Sequence, residues 1–183
     1  MSIVIAVATT DKIIIKSDGR EIDSQTKQVV DEHSTKMKQI CDNAIIGYTG
    51  DKQACDAFVS AVMNYVTQPI YEPKYIITII EQLMQICKQF NTKLNIILGI
   101  IYNKNSSIYT WSYMDGYKIH KDNAIKDGVV YSISYCDDNN LNFEDYYNRL
   151  INVETCMDRY IVAVSKIDSS VNRNIETKIL SVN

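Results

Sequence analysis

The residues best suited to chemistry lie in the first third of the chain, where short polar groups separate apolar segments. Ser2 opens the apolar run Ser2-Ile3-Val4-Ile5-Ala6-Val7, and Ser17-Asp18-Gly19-Arg20 follows a second apolar run. Two further segments come next, Lys36-Met37-Lys38-Gln39-Ile40 and Ile45-Ile46-Gly47-Tyr48-Thr49-Gly50. A hydroxyl, a carboxylate and an amine are the groups of nucleophilic catalysis, in which an oxygen nucleophile needs a nearby base. The sequence therefore places its candidate chemistry here.

Metal and cofactor chemistry have little support in the sequence. The chain has five cysteines without close Cys-x-x-Cys spacing, and its two histidines are His33 and His120. Zinc and redox sites usually need such spacing or more imidazoles. His33 is either a cleft residue near Lys36 or an ordinary surface histidine. Six glycines also leave little room for a glycine-rich phosphate loop, so we expect no cofactor and no metal ion.

Length and charge narrow the classes of protein. A chain of 183 residues is typical of one domain, which we expect to cover residues 1–183. The net charge of −3 argues against a nucleic-acid or membrane-surface partner, because such partners need a basic face. There is no secretion signal and no apolar run of the ~18 residues that span a membrane. Scattered cysteines are typical of a reducing compartment, and we expect a soluble cytoplasmic protein.

Hydrophobic periodicity predicts the elements that position these residues. Apolar runs predict four strands before residue 50, and helical periodicity predicts helices from about Gly50 to Thr67 and from Lys74 to Gln89. Four more strands follow between residues 94 and 135, then a helical pattern over 143–164 and a last strand over 174–182. This order is typical of the α+β class. We expect a four-layer α-β-β-α sandwich of two packed, mostly antiparallel sheets, with Ser2 at the start of a central strand.

The ordered segments resemble the N-terminal-nucleophile hydrolases of the proteasome type, which include proteasome β subunits and the bacterial proteasome-like peptidase. Ser2 lies where that family has its nucleophile, and Asp18 beside Gly19 matches its acidic residue near a glycine. Lys36 opens a segment similar to the one with the catalytic lysine. Gly50, followed by the helical Ala54-Cys55-Asp56-Ala57-Phe58, resembles the oxyanion-glycine segment. The match covers about the first third of the chain, and the order of elements agrees in the rest.

The resemblance implies a self-contained catalytic site. Once Met1 is removed, Ser2 would supply both a hydroxyl nucleophile and an α-amino base. The ordinary pKa of an α-amino group is about 7.7–8.0, and the Lys36 ammonium would lower that pKa and stabilise the alkoxide. Asp18 would keep Lys36 charged and aimed. Backbone N–H groups at Gly50 would hold the tetrahedral oxyanion.

Three further positions belong to the implied site. Gly47 is a second oxyanion candidate, because the segment from Gly50 to Asp56 is longer than in the family. Ser134 stands where the family has a serine flanked by glycines, which are absent here. Asp168 matches the family's late aspartate, although the following Ser169-Ser170-Val171-Asn172 lacks the family's glycines. The family's nucleophile is usually threonine, and serine is compatible with the same chemistry.

Each candidate also has a structural interpretation. Ser2 is equally the residue after an initiator methionine, and Asp18-Gly19 is a common turn pair. Strand alternation puts Lys36 on the same face as Lys38, where both would be solvated charges. The glycines Gly47 and Gly50 suit positive φ angles or close packing without any catalytic role.

Three functions therefore remain open from sequence. The first is a hydrolase that cleaves amide bonds of a peptide or protein in a ring-like homo-oligomer, with an unfoldase as a candidate partner. The second is a non-catalytic proteasome-like subunit that keeps the fold and the assembly surfaces. The third is an amidohydrolase of the same superfamily that acts on a small molecule. In any oligomer we expect the amphipathic helices over 50–67 and 74–90 to contribute contacts.

Overall fold

Two antiparallel sheets, a short hairpin and three helices form the fold of this computed structural model, which describes residues 2–23, 25–124, 128–135 and 141–182. The helices are α1 (Lys52–Tyr65), α2 (Pro73–Gln89) and α3 (Val153–Ile167), and short 3-10 turns cover Tyr113–Asp115 and Phe143–Asp145. The strands are β1 (Ile3–Ala8), β2 (Lys12–Asp18), β3 (Glu21–Ile22), β4 (Val29–Asp31), β5 (Met37–Cys41), β6 (Ala44–Gly50), β7 (Leu94–Tyr102), β8 (Asn105–Ser112), β9 (His120–Asn123), β10 (Val130–Tyr135) and β11 (Ile175–Ser181).

The N-terminal strand lies inside a sheet rather than at its edge. One sheet has the strand order β10-β1-β2-β11, and the other has the order β5-β6-β7-β8-β9. Both are antiparallel throughout, and β3 pairs with β4 as a separate hairpin. In the first sheet Val4 lies opposite Ser134 on one side and Ser17 on the other. Ser2 therefore immediately precedes a central strand, as the sequence predicts.

The layers follow from strands that are apolar on both faces. Val4, Ile13 and Ile15 of the four-stranded sheet pack in one core with Ile45 and Ile97 of the five-stranded sheet. The outer face of the five-stranded sheet packs against α1 and α2, and the outer face of the other sheet packs against α3. Because each sheet buries both faces, its strands read as near-continuous apolar runs. The predicted α+β class and four-layer α-β-β-α sandwich are confirmed.

The third helix begins later than its periodicity predicts. The apolar pattern over 143–164 covers a 3-10 turn, a loop and only then α3, whose N-terminal cap is Asn152. The Asn152 side chain accepts the N–H of Glu154 at 2.9 Å and so stops the helix from extending backwards. Phe143 is nevertheless fully buried, with its ring centroid 5.7 Å from that of Tyr160. The turn and the helix thus share one core, which is why their apolar residues appear as one pattern.

The β3–β4 hairpin is the element that the sequence analysis missed. It lies in the polar stretch between Asp18 and Thr35, and its strands have two and three residues. Strands that short carry too few residues for an alternating pattern.

Among the described residues, no helix combines the length and the apolar character needed to cross a membrane.

Candidate active site

A cleft of about 550 Å³ opens where the N-terminal segment meets the end of β6 and the start of α1. Ser2, Lys36 and Gly50 all line it, and the β3–β4 hairpin forms another wall. Three of the residues that the sequence predicts for the site therefore share one cavity. Asp18, another predicted site residue, lies beneath the cleft as the last residue of β2 and is fully buried.

The Asp18 carboxylate connects the N-terminal segment to Lys36. Its Oδ1 accepts the backbone N–H of Ile3 at 2.9 Å and the Lys36 ammonium at 2.7 Å. Its Oδ2 accepts the backbone N–H of Arg20 at 2.9 Å. These three donors satisfy a carboxylate that burial would otherwise destabilise. Since Ile3 follows Ser2 directly, Asp18 holds Lys36 beside the start of the chain.

Lys36 is a buried cation with two fixed acceptors. Its side chain is 7% exposed, and its ammonium donates to the Arg20 carbonyl at 2.7 Å as well as to Asp18. Burial lowers the pKa of Lys36, and the charge of Asp18 opposes that shift. Lys38, by contrast, is exposed. The alternation argument that gave both lysines one environment is wrong, because Lys36 precedes β5, which begins at Met37.

The two glycine candidates differ in position. Gly50 ends β6 with φ of +128°, and a Cβ there would lie 2.2 Å from the carbonyl oxygen of Lys93. Close backbone approach therefore requires glycine at this edge of the cleft. Gly47 lies within β6, where a Cβ would meet Cγ1 of Val4 at 2.7 Å. It allows the two sheets to approach each other and is not among the cleft residues.

Ser134 and Asp168, which the sequence resemblance adds to the site, are not among the residues that line the cleft. The Ser134 hydroxyl is buried and lies 2.5 Å from the hydroxyl of Thr49. Thr49 belongs to β6 of the other sheet and lines the cleft. Asp168 is the C-terminal cap of α3, and its carboxylate accepts the N–H of Ser170 at 2.7 Å. Without the family's glycines, this segment forms a side-chain-capped turn. Both residues therefore have hydrogen-bonding roles outside the cleft lining.

Two cleft residues have no clear signal in the sequence. Lys52, the first residue of α1, places its ammonium 3.1 Å from the Ser34 hydroxyl and 3.3 Å from the Glu21 carboxylate. Tyr48 donates its hydroxyl to the Thr35 carbonyl at 3.1 Å, and burial raises its pKa to about 12. Lys52 thus contacts the unpredicted β3–β4 hairpin through Glu21, whereas the partner of Tyr48 lies in the segment after the hairpin.

The remaining candidates do not add to the site. His33 is exposed and does not line the cleft. Within the described ranges, no three His, Cys, Asp or Glu side chains are grouped so as to hold a metal ion. What the cleft contains is a hydroxyl at the start of the chain, a buried lysine–carboxylate pair and a glycine with positive φ. These are groups for acyl transfer without a metal ligand set.

Comparison with known proteins identifies the fold. No family model matches the chain, and no curated protein matches it by sequence. Eukaryotic HslV from Trypanosoma brucei superposes with a TM-score of 0.70 at 12% identity, over 98% of this chain and 99% of that one. Anbu from Hyphomicrobium sp. strain MC1 superposes with a TM-score of 0.72 at 13% identity, over 99% of this chain and 88% of that one. The chain has the proteasome-like N-terminal-nucleophile fold, which confirms the resemblance at the level of fold.

Proposed function

We propose that this protein is an N-terminal-nucleophile hydrolase that cleaves amide bonds, with Ser2 as its nucleophile after removal of Met1. The observation that carries the proposal is the Asp18 carboxylate, which binds the Lys36 ammonium at 2.7 Å and the N–H of Ile3 at 2.9 Å. It fixes a buried cation next to the residue that would become the N-terminus. The fold of the chain supports the same assignment.

The reaction needs a base and a stabilised alkoxide, and the proposal assigns both. The α-amine of processed Ser2 accepts the hydroxyl proton, and the Ser2 oxygen attacks the carbonyl carbon of the amide. The Lys36 ammonium lowers the pKa of that amine by repulsion between like charges and stabilises the developing alkoxide. Collapse of the tetrahedral intermediate breaks the C–N bond of the substrate. The leaving amine of the substrate takes the proton that the Ser2 α-amine accepted. Water then hydrolyses the ester on Ser2.

The end of β6 suits the oxyanion. Gly50 lines the cleft directly before Asp51, the N-cap of α1, so the positive end of this helix dipole points towards the cleft. Preorganised backbone donors at such a place contribute roughly 2.7–4 kcal/mol each to lowering the barrier of acyl transfer. Gly50 is therefore assigned the oxyanion role and Gly47 a packing role.

The substrate and assembly form a second part of the proposal. A cleft that is open to solvent suits an extended peptide or protein segment as the substrate. We further propose that the protein forms a ring-like homo-oligomer in the cytoplasm and works with an unfoldase partner. The outer helices support assembly, because α1 and α2 expose large apolar side chains to solvent, namely Met63, Tyr65, Tyr75 and Ile86. Light scattering at micromolar concentration should give a mass above that of one chain. A single-chain mass across dilutions would contradict the assembly.

The enzymatic proposal is tested with the N-terminus under control. A cleavable tag gives a protein that begins at Ser2, and a matched protein with one glycine before Ser2 has its serine amine blocked. Both are assayed against a library of fluorogenic peptide amides. We expect hydrolysis by the first protein and none by the second or by Ser2→Ala, whereas Ser2→Thr should stay active because it keeps the hydroxyl.

Two outcomes would contradict the enzymatic proposal. Equal hydrolysis by the free and blocked proteins would exclude an N-terminal nucleophile. No hydrolysis of any peptide amide by correctly processed protein would favour the non-catalytic subunit instead, which the absent glycines around Ser134 already support. Hydrolysis of small amides alone would favour the amidohydrolase alternative.

A further inference from the structure

We propose that Asn172 is a positioning residue of this site, whose side-chain amide holds the Asp18–Arg20 turn and thereby the Lys36 ammonium. The inference rests on the proposed function, in which Lys36 acts on the N-terminal amine. Asn172 lies 153 residues along the chain from the backbone N–H that it binds. No sequence pattern connects the two segments.

Both acceptors of the Lys36 ammonium belong to one turn. Its ammonium binds the Asp18 carboxylate at 2.7 Å and the Arg20 carbonyl at 2.7 Å. The Asp18 carboxylate is itself held to this turn by the backbone N–H of Arg20 at 2.9 Å, so the conformation of residues 18–20 sets the position of the Lys36 charge. Whatever fixes that backbone also fixes the cation.

Asn172 fixes the middle of this turn through its side-chain amide. Its Oδ1 accepts the N–H of Gly19 at 2.9 Å, while its Nδ2 donates to the carbonyl and to the carboxylate of Glu32 at 2.9 and 2.6 Å. Asn172 itself is 6% exposed. Buried, fully used amides of this kind hold one geometry, because breaking one bond leaves a polar group without water.

The backbone around Gly19 is closely packed, so this position of the turn has no room for a side chain of its own. A Cβ on Gly19 would lie 2.7 Å from the Glu32 carbonyl oxygen and 3.1 Å from that of Asn174. The Gly19 carbonyl in turn accepts the N–H of Ser34 at 2.7 Å. Both peptide groups of Gly19 are thus bound, and Asn172 supplies the side-chain part of this arrangement.

The Glu32 carboxylate links Asn172 to Arg20, the last residue of the turn. It binds the Arg20 guanidinium at 3.0 Å, and Arg20 also donates to the carbonyl of Ser169. Hydrogen bonds from Asn172 and then from Arg20 lower the pKa of Glu32 and keep it charged. The loop after α3 therefore reaches the Lys36 environment through Asn172 and Arg20.

The consequence concerns the charge state of Lys36. The charged groups that act on it are Asp18 of β2, Glu21 of β3 and Lys52 of α1. If the turn moves, Lys36 stays buried but loses acceptors that favour its proton. Its pKa must then fall further, because burial favours the neutral amine. A neutral Lys36 no longer activates the N-terminal amine of Ser2.

The test compares Asn172→Ala with Asn174→Ala in protein that begins at Ser2. The control is matched, because the exposed Asn174 side chain donates to the same Glu32 carbonyl at 2.9 Å and does not bind the turn. Lysine labelled with ¹³C at Cε reports the titration of Lys36 by NMR, with the signal assigned by its loss in Lys36→Met. In parallel, a β-lactone measures the rate at which Ser2 is acylated between pH 6 and 10.

We expect the Lys36 titration to move to lower pH in Asn172→Ala and to stay unchanged in Asn174→Ala. Acylation of Ser2 should slow by about tenfold or more in Asn172→Ala only, as for other misplaced catalytic groups. In the same variant, the fall of the acylation rate at alkaline pH should begin at a lower pH. If wild-type Ser2 is not acylated at all, the proposed function fails while the Lys36 titration still tests the positioning role.

The same Lys36 titration in both variants would overturn the proposal. Asn172→Ser replaces Asn172→Ala if the alanine variant does not fold, as judged by circular dichroism. If neither Asn172→Ala nor Asn172→Ser folds, the proposal is also overturned, because Asn172 would then be a purely structural residue.

Discussion

The Ser134 hydroxyl oxygen lies 2.5 Å from the Thr49 hydroxyl oxygen, across the space between the two sheets. Thr49 also accepts the side-chain N–H of Asn95 at 3.1 Å, and Asn95 accepts the Ser112 hydroxyl at 2.7 Å. This chain of uncharged groups holds the end of β6, where Gly50 borders the cleft. Ser134 thus supports the proposed oxyanion site from behind.

Thr49→Val should destabilise the protein, because the valine has the shape of threonine but no hydroxyl for Ser134 and Asn95. Leaving such buried groups short of a partner costs roughly 1–3 kcal/mol of unfolding free energy. Urea denaturation measures the change. Thr78→Val is the control, since the exposed Thr78 hydroxyl donates to the carbonyl of the exposed Lys74 at 2.8 Å. Equal losses in both variants would contradict this account.

Gly50→Ala should be much more disruptive than Gly116→Ala. Both glycines have a positive φ, +128° at Gly50 and +72° at Gly116. A Cβ at Gly50 would lie 2.2 Å from the carbonyl oxygen of Lys93, whereas a Cβ at Gly116 would have no described atom within 4 Å. We expect Gly116→Ala to cost about 1–2 kcal/mol from its backbone conformation alone. Thermal melts give the comparison, and similar melting temperatures for the two variants would be inconsistent with the close approach.

Lys36→Met should abolish amide hydrolysis, and Lys38→Met should leave it within about twofold, as expected for an exposed residue without such contacts. Lys36→Met also leaves the Asp18 carboxylate buried without its cation, which costs roughly 3–5 kcal/mol of unfolding free energy. The double variant Asp18→Asn/Lys36→Met removes that charge, so it should regain stability without regaining activity. Activity in the stable double variant would show that Lys36 is only structural.

Tyr48 should make the protein less stable at high pH. Its pKa is raised to about 12 by burial, so between about pH 10 and 12 the unfolded chain releases a proton that the folded chain keeps. Stability from this group is therefore complete below pH 10 and is lost as pH rises towards 12. Urea midpoints of Tyr48→Phe should fall less steeply than wild type above pH 10, with parallel curves from pH 7 to 9. Parallel curves above pH 10 as well would contradict this assignment.

Much of the fold could be predicted because burial on two sides leaves a clear pattern. β1 and β2 are apolar at nearly every position, and α1 and α2 have one apolar face each. Periodicity places the start of α3 too early, since the buried Phe143 belongs to a separate turn that packs against the same core. Side-chain caps such as Asn152 decide boundaries of this kind, and periodicity does not record them.

The candidate site was predictable only where its residues follow one another along the first strands. Ser2, Asp18, Lys36 and Gly50 are predicted from the resemblance of these ordered segments to the proteasome-type family, and the structure brings Ser2, Lys36 and Gly50 to one cleft. Lys52 depends on a hairpin too short to leave a pattern. Asn172 binds a backbone group 153 residues away, so its role is visible only after folding.

The most direct measurement is the location of a covalent adduct. Protein that begins at Ser2 is treated with a β-lactone, digested, and sequenced by tandem mass spectrometry. The proposal predicts one acyl group on the Ser2 hydroxyl, none in the glycine-blocked protein, and none at Ser2 after Lys36→Met. An adduct on another residue, or unmodified Ser2 in correctly processed protein, would contradict an N-terminal nucleophile in this cleft.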